Sequence, residues 1–274
     1  MRWLDRTLEL RTRIGDGPRP RPVLLAGDGT SVLLLEAGGP RERALPAGLA
    51  LHPTLAPLLD HTLLKAGARE GEIEALCAEA RQHGFASVCV NPRWVPTAAR
   101  LLVGSGVRVC TVVGFPLGAT SLAAKAFEAE VALREGASEV DMVLDLGAAR
   151  DGDWARVQAD FRGLRRAVPR PAVLKVILET CLLNDDQKRR TCVLAAEEGL
   201  DFVKTSTGFS TGGATAADIE LMRGAVGESI GVKASGGIRT FEQALAMVQA
   251  GATRLGVSAS LAIIGADRGA SEGY

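Results

Sequence analysis

Short apolar runs alternate with amphipathic segments from residue 58 onward. The apolar runs have the length of β-strands, and the segments between them carry apolar residues at the three- and four-residue spacing of a helix. Several helical segments end in glycine, the residue preferred just after a helix C-terminus. The eight strand-like runs are, in order, LLDHTLLK, SVCVNP, RVCTVVGFP, EVDMVLDLG, AVLKVILE, DFVKTST, GVKASGG and RLGVSAS.

This alternation predicts an α/β fold. Strictly alternating strands and helices favour right-handed crossovers and a parallel sheet. Eight units in about 215 residues favour a closed (β/α)8 TIM barrel, and an open doubly wound sheet is the alternative. The helical pattern is weakest in the segment after the second strand, VPTAARLLVGSG.

The first 50 residues differ from the rest of the chain. They contain eight arginines, no lysine, and stretches rich in glycine and proline around one apolar run, SVLLLEA. We therefore expect residues 1–50 to be a partly disordered N-terminal extension and residues 51–274 to be the barrel domain. Six acidic residues in the extension argue against an organellar transit peptide.

A weak internal repeat orients four strands relative to the barrel. In each copy a glycine is followed by three variable residues, an aliphatic residue and a fifth, distinctive position. Because side chains alternate across a strand, the fifth position faces the interior if the aliphatic residue faces the helices. The aliphatic residues are Val88, Val140, Val203 and Leu255, and the interior positions are Cys89, Asp141, Lys204 and Gly256.

Composition excludes several classes of protein. Lys plus Arg and Asp plus Glu both number 32, and aromatic residues make up 4 %, so nucleic acid is not an expected partner. The five cysteines show no paired metal spacing, which predicts reduced thiols rather than disulfides. No apolar run approaches the roughly 18 residues of a membrane span. We expect a cytoplasmic protein.

Lysine is rare and is placed unusually. The chain has 26 arginines and only six lysines, and four lysines lie within or at the end of apolar runs, where a charge is costly. A lysine, unlike an arginine, can lose its proton and attack a carbonyl. These four are Lys65, Lys175, Lys204 and Lys233.

Three consecutive strands carry lysines, and the strand before them carries Asp141. Catalytic residues of such barrels come from the C-terminal ends of several strands. Two ammonium groups about 5 Å apart repel by roughly 3 kcal/mol, which favours a neutral amine. The strands on both sides of Lys204 carry a lysine, so Lys204 should lose its proton most easily and is the candidate nucleophile. Lys233 is the nearer of the two lysines that would favour its neutral form. A satisfied Lys–Asp pair without a chemical role is the alternative.

A neutral amine beside a carboxylate suits Schiff-base chemistry, in which an iminium withdraws electrons while a carbon–carbon bond breaks or forms. Asp141 would relay protons. Small and hydroxyl residues follow strands six, seven and eight, as in loops that bind phosphate through backbone N–H groups. The candidate phosphate ligands are Thr205, Gly208, Gly236, Gly237 and Ser258.

The chain resembles the deoxyribose-phosphate aldolase family over about residues 56–274. The resemblance rests on LDHTLLK, CVNPRWV, TVVGFPLGAT, EVDMVLDLGA, LKVILET, DFVKTSTGFSTGGAT, VKASGGIRT and RLGVSAS, in that order. It implies a barrel and a class I aldolase that reversibly splits 2-deoxy-D-ribose 5-phosphate into acetaldehyde and glyceraldehyde 3-phosphate. It implies Lys204 as the Schiff-base former, Lys233 and Asp141 as the proton-transfer pair, and neither metal nor organic cofactor.

The sequence departs from the family pattern at one notable position, and it also contains several secondary candidates for the site. The last loop reads GVSAS, where the family has two adjacent serines, so Ala259 lacks a hydroxyl. The secondary candidates are Lys175, Cys89, Asp60 and the terminal Tyr274, and a passive structural role is the alternative for Cys89.

Two other functions are alternatives: a different phosphate-binding barrel enzyme, such as an isomerase or synthase, and a non-catalytic sugar-phosphate binding protein. The expected partner is a phosphorylated aldose. The sequence does not choose between a homodimer and a homotetramer.

Overall fold

A computed structural model gives the architecture of the 274-residue chain. It describes residues 55–228 and 230–265, together with four strands nearer the N-terminus. Those strands are Leu8–Leu10, Arg21–Leu25, Ser31–Glu36 and Gly39–Ala44, and they form an antiparallel sheet in chain order. The predicted domain boundary at residue 50 lies outside the described residues.

Eight parallel strands form a closed barrel, as the alternating pattern predicted. The strands follow one another around the barrel in chain order, and the eighth pairs with the first to complete the circle. They are β1 (Leu59–Leu63), β2 (Ser87–Val90), β3 (Arg108–Val113), β4 (Glu139–Val143), β5 (Val173–Ile177), β6 (Phe202–Lys204), β7 (Gly231–Ser235) and β8 (Arg254–Val257).

Helices connect the strands, and their ends carry recognisable caps. Asn184 and Gln187 form a capping box at the start of one helix, and Thr240 and Gln243 form another. The helices of the described part are α1 (Glu70–His83), α2 (Val95–Leu102), α3 (Leu122–Arg134), α4 (Leu146–Asp151), α5 (Trp154–Ala167), α6 (Asp185–Glu197), α7 (Ala216–Val226), α8 (Phe241–Gln249) and α9 (Ser260–Ile263).

One predicted element is longer than the observed one. The run EVDMVLDLG predicted a single strand, but β4 ends at Val143 and α4 begins at Leu146. The Asp145 side chain accepts a hydrogen bond from the backbone N–H of Ala148, which caps α4. The short helix was missed because its apolar residues continue the strand pattern without a break.

The two faces of the strands have different surroundings, as the internal repeat predicted. The aliphatic positions Val88, Val140, Val203 and Leu255 belong to the main apolar core. A smaller cluster of Leu64, Cys89, Cys110 and Val112, with Phe115 packed against it, is separate from that core. Among the described helices, none is long and apolar enough to cross a membrane.

Candidate active site

Strand register places the predicted catalytic residues at neighbouring positions. Lys204 of β6 pairs with Lys233 of β7, and Asp141 of β4 pairs with Lys175 of β5. Residues paired on adjacent parallel strands point to the same side of the sheet. All four side chains therefore converge inside the barrel.

Asp141 is the centre of this arrangement. Its Oδ2 accepts hydrogen bonds from the amines of Lys204 and Lys233, both at 2.8 Å. Its Oδ1 accepts from Lys175 at 2.8 Å. Asp141, Lys175 and Lys233 are fully buried, whereas Lys204 is 3 % exposed. One carboxylate thus contacts three ammonium groups, which is the shared interior that the sequence predicted.

A second set of charges, which sequence analysis largely missed, extends this network. Lys233 Nζ lies 2.5 Å from Asp60 Oδ2 as an ion pair, and Lys175 Nζ lies 2.6 Å from Glu139 Oε2. Arg254 contacts both Asp60, at 2.6 Å, and Glu139, at 3.4 Å. Asp60, a secondary candidate from the sequence, thus contacts the predicted catalytic residue Lys233.

Burial and charge act in opposite directions on these groups. Burial would raise the pKa of Asp141, but Lys175, Lys204 and Lys233 hold it well below its usual range. Burial would lower the pKa of Lys233, but Asp141 and Asp60 raise it above its ordinary value. The pKa of Lys175 is also raised well above the ordinary value, because Asp141 and other anionic partners outweigh burial. Lys175 and Lys233 therefore remain cations at neutral pH.

The three lysines differ in the number of carboxylates that they contact. Lys175 contacts Asp141 and Glu139, and Lys233 contacts Asp141 and Asp60. Among the described residues, Lys204 contacts Asp141 alone, through the oxygen that Lys233 also uses. Lys204 is thus the amine whose positive charge has the fewest partners, and it is the one nearest to solvent.

The buried carboxylates predict a loss of stability in acid. The folded-state pKa values of Asp60, Glu139 and Asp141 all lie below their ordinary values, because the cations outweigh burial. Groups of this kind stabilise the fold above their unfolded pKa values of about 4, and they lose that contribution as the pH falls through the folded values. We expect the free energy of unfolding, measured with urea, to be steady near pH 7 and to fall below about pH 5.

Glu139→Gln should make that fall less steep, because the unfolded state then takes up one proton fewer than before. An unchanged slope would show that Glu139 is not held ionised by its partners. Glu128→Gln, at a carboxylate outside this network, is the matched control.

The buried lysines are not all the predicted ones. Lys65 is exposed, so the prediction that it lies inside is wrong: the apolar run ends just before it. Lys125 of α3 is instead fully buried, donating to Asp160 at 2.7 Å and to the backbone oxygen of Val143 at 2.9 Å. Lys125 was missed because a single lysine in a helical pattern predicts a solvent-exposed side chain.

Two groups of buried side chains have the chemistry of metal ligands. They are Cys89, Cys110 and Asp141, and Asp60, Cys110 and Glu139, with the ligand atoms of each group within 4.8 Å of one another. Their carboxylates already contact the ammonium and guanidinium groups named above, and a divalent cation there would be repelled by those charges. The arrangement therefore favours an ion-pair network over a metal site.

Cys89 lies in the barrel interior, 1 % exposed, as predicted. A hydrogen bond with Cys110 lowers the pKa of its thiol, and Lys233 and Lys204 act in the same direction. Burial raises the pKa of the Cys110 thiol well above its ordinary value. The Cys110 thiol is 3.2 Å from Asp141 Oδ1, so it also contacts the central carboxylate.

The loops that were predicted to bind phosphate meet beside β6 and β7. A Cβ on Gly213 would lie 2.4 Å from the backbone oxygen of Gly236, so the two loops approach as closely as glycine allows. Among the residues that the structure describes, no acceptor pairs with the backbone N–H of four candidate residues. They are Gly208, Gly236, Gly237 and Ser258.

Thr205, the fifth candidate, is placed differently. It is fully buried, its hydroxyl donates to the backbone oxygen of Ser235, and it accepts from the N–H of the same residue, both at 3.1 Å. Thr205 therefore joins the two loops through its side chain. Tyr274 lies outside the described residues.

Comparison with known proteins agrees with this geometry. Residues 54–266 match the model of the DeoC/LacD family aldolases. Over 210 residues the chain is 58 % identical to deoxyribose-phosphate aldolase 1 of Bacillus licheniformis, covering 77 % of this chain and 94 % of that one. It is 56 % identical to the deoxyribose-phosphate aldolase of Lysinibacillus sphaericus over 214 residues, covering 78 % and 96 %.

A solved structure shows the same relationship. The tetrameric deoxyribose phosphate aldolase of Aeropyrum pernix superposes with a TM-score of 0.73 at 33 % identity, covering 80 % of this chain and 92 % of that one. A family match over most of the chain, together with the shared barrel, shows the family directly. The chain belongs to the DeoC/LacD family of aldolases.

Proposed function

We propose that the protein catalyses the reversible aldol cleavage of 2-deoxy-D-ribose 5-phosphate to acetaldehyde and D-glyceraldehyde 3-phosphate through a Schiff base on Lys204. The observation that carries the proposal is the contact of three lysines, on β5, β6 and β7, with the single carboxylate of Asp141 on β4. The choice of substrate is supported by the bacterial relatives, which are named deoxyribose-phosphate aldolase.

The proposed reaction begins with attack of the neutral Lys204 amine on the C1 carbonyl of the open-chain sugar. Loss of water from the carbinolamine gives an iminium, which accepts the electron pair of the C2–C3 bond as that bond breaks. The C3 hydroxyl loses its proton and becomes the carbonyl of glyceraldehyde 3-phosphate. The remaining enamine takes up a proton at C2, and water releases acetaldehyde.

Asp141 and Lys233 are the proposed proton-transfer pair. Asp141 contacts Lys204 directly, so it can accept a proton from the nucleophile or from the C3 hydroxyl and return it later. Lys233, held as a cation by Asp141 and Asp60, keeps Asp141 ionised and places a positive charge beside Lys204. Lys175 contacts the other oxygen of Asp141, so two cations lie around the carboxylate that Lys204 contacts.

The phosphate end of the substrate is assigned to the loops after β6, β7 and β8. Backbone N–H groups without a protein acceptor are suited to phosphate oxygens. Those of Gly208, Gly236, Gly237 and Ser258 fit this role, whereas Ala259 adds no hydroxyl. Thr205 contributes by joining the loops.

A cleavage assay tests the proposal. Purified protein mixed with 2-deoxy-D-ribose 5-phosphate should release acetaldehyde and glyceraldehyde 3-phosphate. In separate assays, acetaldehyde is detected by its reduction with alcohol dehydrogenase and NADH, and glyceraldehyde 3-phosphate by its oxidation with its own dehydrogenase and NAD. Preincubation with EDTA should leave the rate unchanged, because the iminium performs the electron withdrawal that a metal would otherwise supply. Substrate that stays intact, or a rate abolished by EDTA and restored by zinc, would reject the proposal.

Gly256 should matter for the rate although it has no side chain. A Cβ there would lie 2.9 Å from Cε of Lys233 and 3.1 Å from Cβ of Ser235. Gly256→Ala should displace the Lys233 amine and lower kcat roughly 10- to 100-fold, because small misplacements of catalytic groups are costly. Gly224→Ala is the control, since a Cβ at that helical position meets no atom within 4 Å. Equal rates for the two variants would contradict the placement of Lys233.

Three further assignments belong to the proposal. Tyr274, a secondary candidate from the sequence, assists proton transfer, and Tyr274→Phe should therefore lower kcat. The chain forms a homodimer or homotetramer, supported by the tetrameric relative of Aeropyrum pernix and measurable by light scattering. The protein acts in the cytoplasm, supported by cysteines that are all free.

A further inference from the structure

Glu179 has an unusual backbone conformation. It follows β5 and has φ 54° and ψ 63°, in the left-handed region. Among the described residues it is the only one other than glycine with positive φ. Glycine adopts this conformation without strain, whereas glutamate does not. Strained backbone of this kind is found mostly where the residue has a functional role.

The Glu179 carboxylate is buried, and within residues 55–228 and 230–265 its hydrogen-bond donors all come from one residue. Glu179 is 2 % exposed, and no described lysine or arginine forms an ion pair with it. Its oxygens lie 3.3 and 3.4 Å from the backbone nitrogen of Thr207, and Oε2 also accepts from the Thr207 hydroxyl. The carboxylate therefore binds the loop that follows Lys204.

Thr207 links Glu179 to the next residues of the loop. Its hydroxyl donates to Glu179 and accepts from the backbone N–H of Phe209 at 3.1 Å. Gly208, between them, has φ 84° and an N–H without a protein acceptor in the described part of the chain. Hydrogen bonds to Glu179 thus fix the turn from Thr207 to Phe209, while the N–H of Gly208 stays available to a ligand.

We propose that Glu179 is a positioning residue for the phosphate end of the substrate. It fixes the turn after β6 so that the N–H of Gly208 faces the substrate phosphate beside the glycines of the next loop. Gly208 lies close to that loop, because a Cβ on Gly236 would be 3.6 Å from the Gly208 Cα. The inference rests on the proposed function, which supplies the phosphate.

The experiment compares substrates with and without the phosphate. Kinetic constants are measured for 2-deoxy-D-ribose 5-phosphate and for 2-deoxy-D-ribose, and the ratio of their kcat/KM values is calculated for each protein. Glu179→Gly removes the carboxylate and also the backbone strain, and it should lower this ratio at least tenfold, mainly through KM for the phosphorylated sugar. Glu179→Gln retains an acceptor oxygen and should stay within about threefold of the wild type.

Thr207→Val provides a second test that does not alter the left-handed position. It removes only the hydroxyl and should lower the ratio in the same way as Glu179→Gly. The double variant should show no further fall, because both changes break the same chain of hydrogen bonds. If Glu179→Gly does not fold, as judged by thermal unfolding, Thr207→Val decides the question.

The outcomes separate this inference from the proposed function. A wild-type protein that cleaves neither sugar overturns both. A wild-type protein that cleaves the phosphorylated sugar, with variants that retain the wild-type ratio, overturns the role of Glu179 alone. Equal falls for both sugars would show a general structural role and would also overturn it. Inhibition of deoxyribose cleavage by inorganic phosphate should weaken in Glu179→Gly in parallel with the ratio.

Discussion

Lys204→Met is expected to lower turnover of 2-deoxy-D-ribose 5-phosphate by about 10⁴-fold or more, because no other step replaces a missing covalent nucleophile. Methionine keeps most of the side-chain volume but has no amine. The fold should survive, since the amine of Lys204 contacts a single carboxylate that retains Lys175 and Lys233. The measurement is kcat, together with the circular dichroism spectrum and thermal midpoint of the variant.

Lys188→Met is the matched control. Lys188 lies on α6, where it contacts Asp185 and Asp218, so it is also a paired lysine but not one of the barrel interior. Its replacement should leave kcat within about twofold, because its partners Asp185 and Asp218 are not part of the ion-pair network inside the barrel. If Lys204→Met kept a tenth of the wild-type rate, Lys204 would not be the nucleophile.

Lys233→Met is expected to lower kcat by roughly 10²- to 10³-fold through loss of the charge beside Lys204 and Asp141. The low-pH limb of the rate profile should move to higher pH, because Lys233 is one of the cations that lower the pKa of Asp141. The variant should retain a slow reaction, since the nucleophile is still present. A rate equal to that of the wild type would exclude Lys233 from proton transfer.

The same variant should also lose stability. Asp60 and Asp141 each lose a cation within 2.8 Å, and breaking a buried pair costs about 3–5 kcal/mol. Arg254 and Lys175 remain, so we expect the low end of that range in urea unfolding followed by tryptophan fluorescence. Asp60→Asn combined with Lys233→Met should recover part of the stability and none of the activity. Recovery of both would show that the lost rate was a folding effect.

The barrel and its central residues could be predicted because the information is local. Alternation between strands and helices sets the topology, and two-residue periodicity within a strand sets the face. Asp141 and Lys204 follow from the internal repeat, and Lys233 follows from its place within an apolar, strand-like run.

The remainder of the network depends on contacts between distant strands. Glu139 and Arg254 lie two residues before Asp141 and Gly256 on the same faces, so periodicity could have indicated them. Arg254 of β8 contacts Glu139 of β4, and this contact depends on how the closed barrel brings non-neighbouring strands together. A strand pattern alone does not contain that closure.

Backbone conformation and hydroxyl partners are harder still to predict. Nothing in the run KVILET marks Glu179 as left-handed, because the residue expected there would be glycine or asparagine. Thr205 is a phosphate candidate from composition, and in the structure its hydroxyl donates to the backbone oxygen of Ser235 and accepts from the N–H of Ser235. Sequence identifies the type of group, whereas packing decides which partner it meets.

The central claim is that Lys204 forms the Schiff base. The most direct test is incubation of the wild-type protein with acetaldehyde and sodium borohydride, followed by mass analysis of its peptides. We predict one ethyl group, carried by the peptide that contains Lys204, and none when Lys204→Met is treated in the same way. An adduct confined to Lys175 or Lys233, or a protein that gains no mass while cleaving the sugar phosphate, would contradict the account.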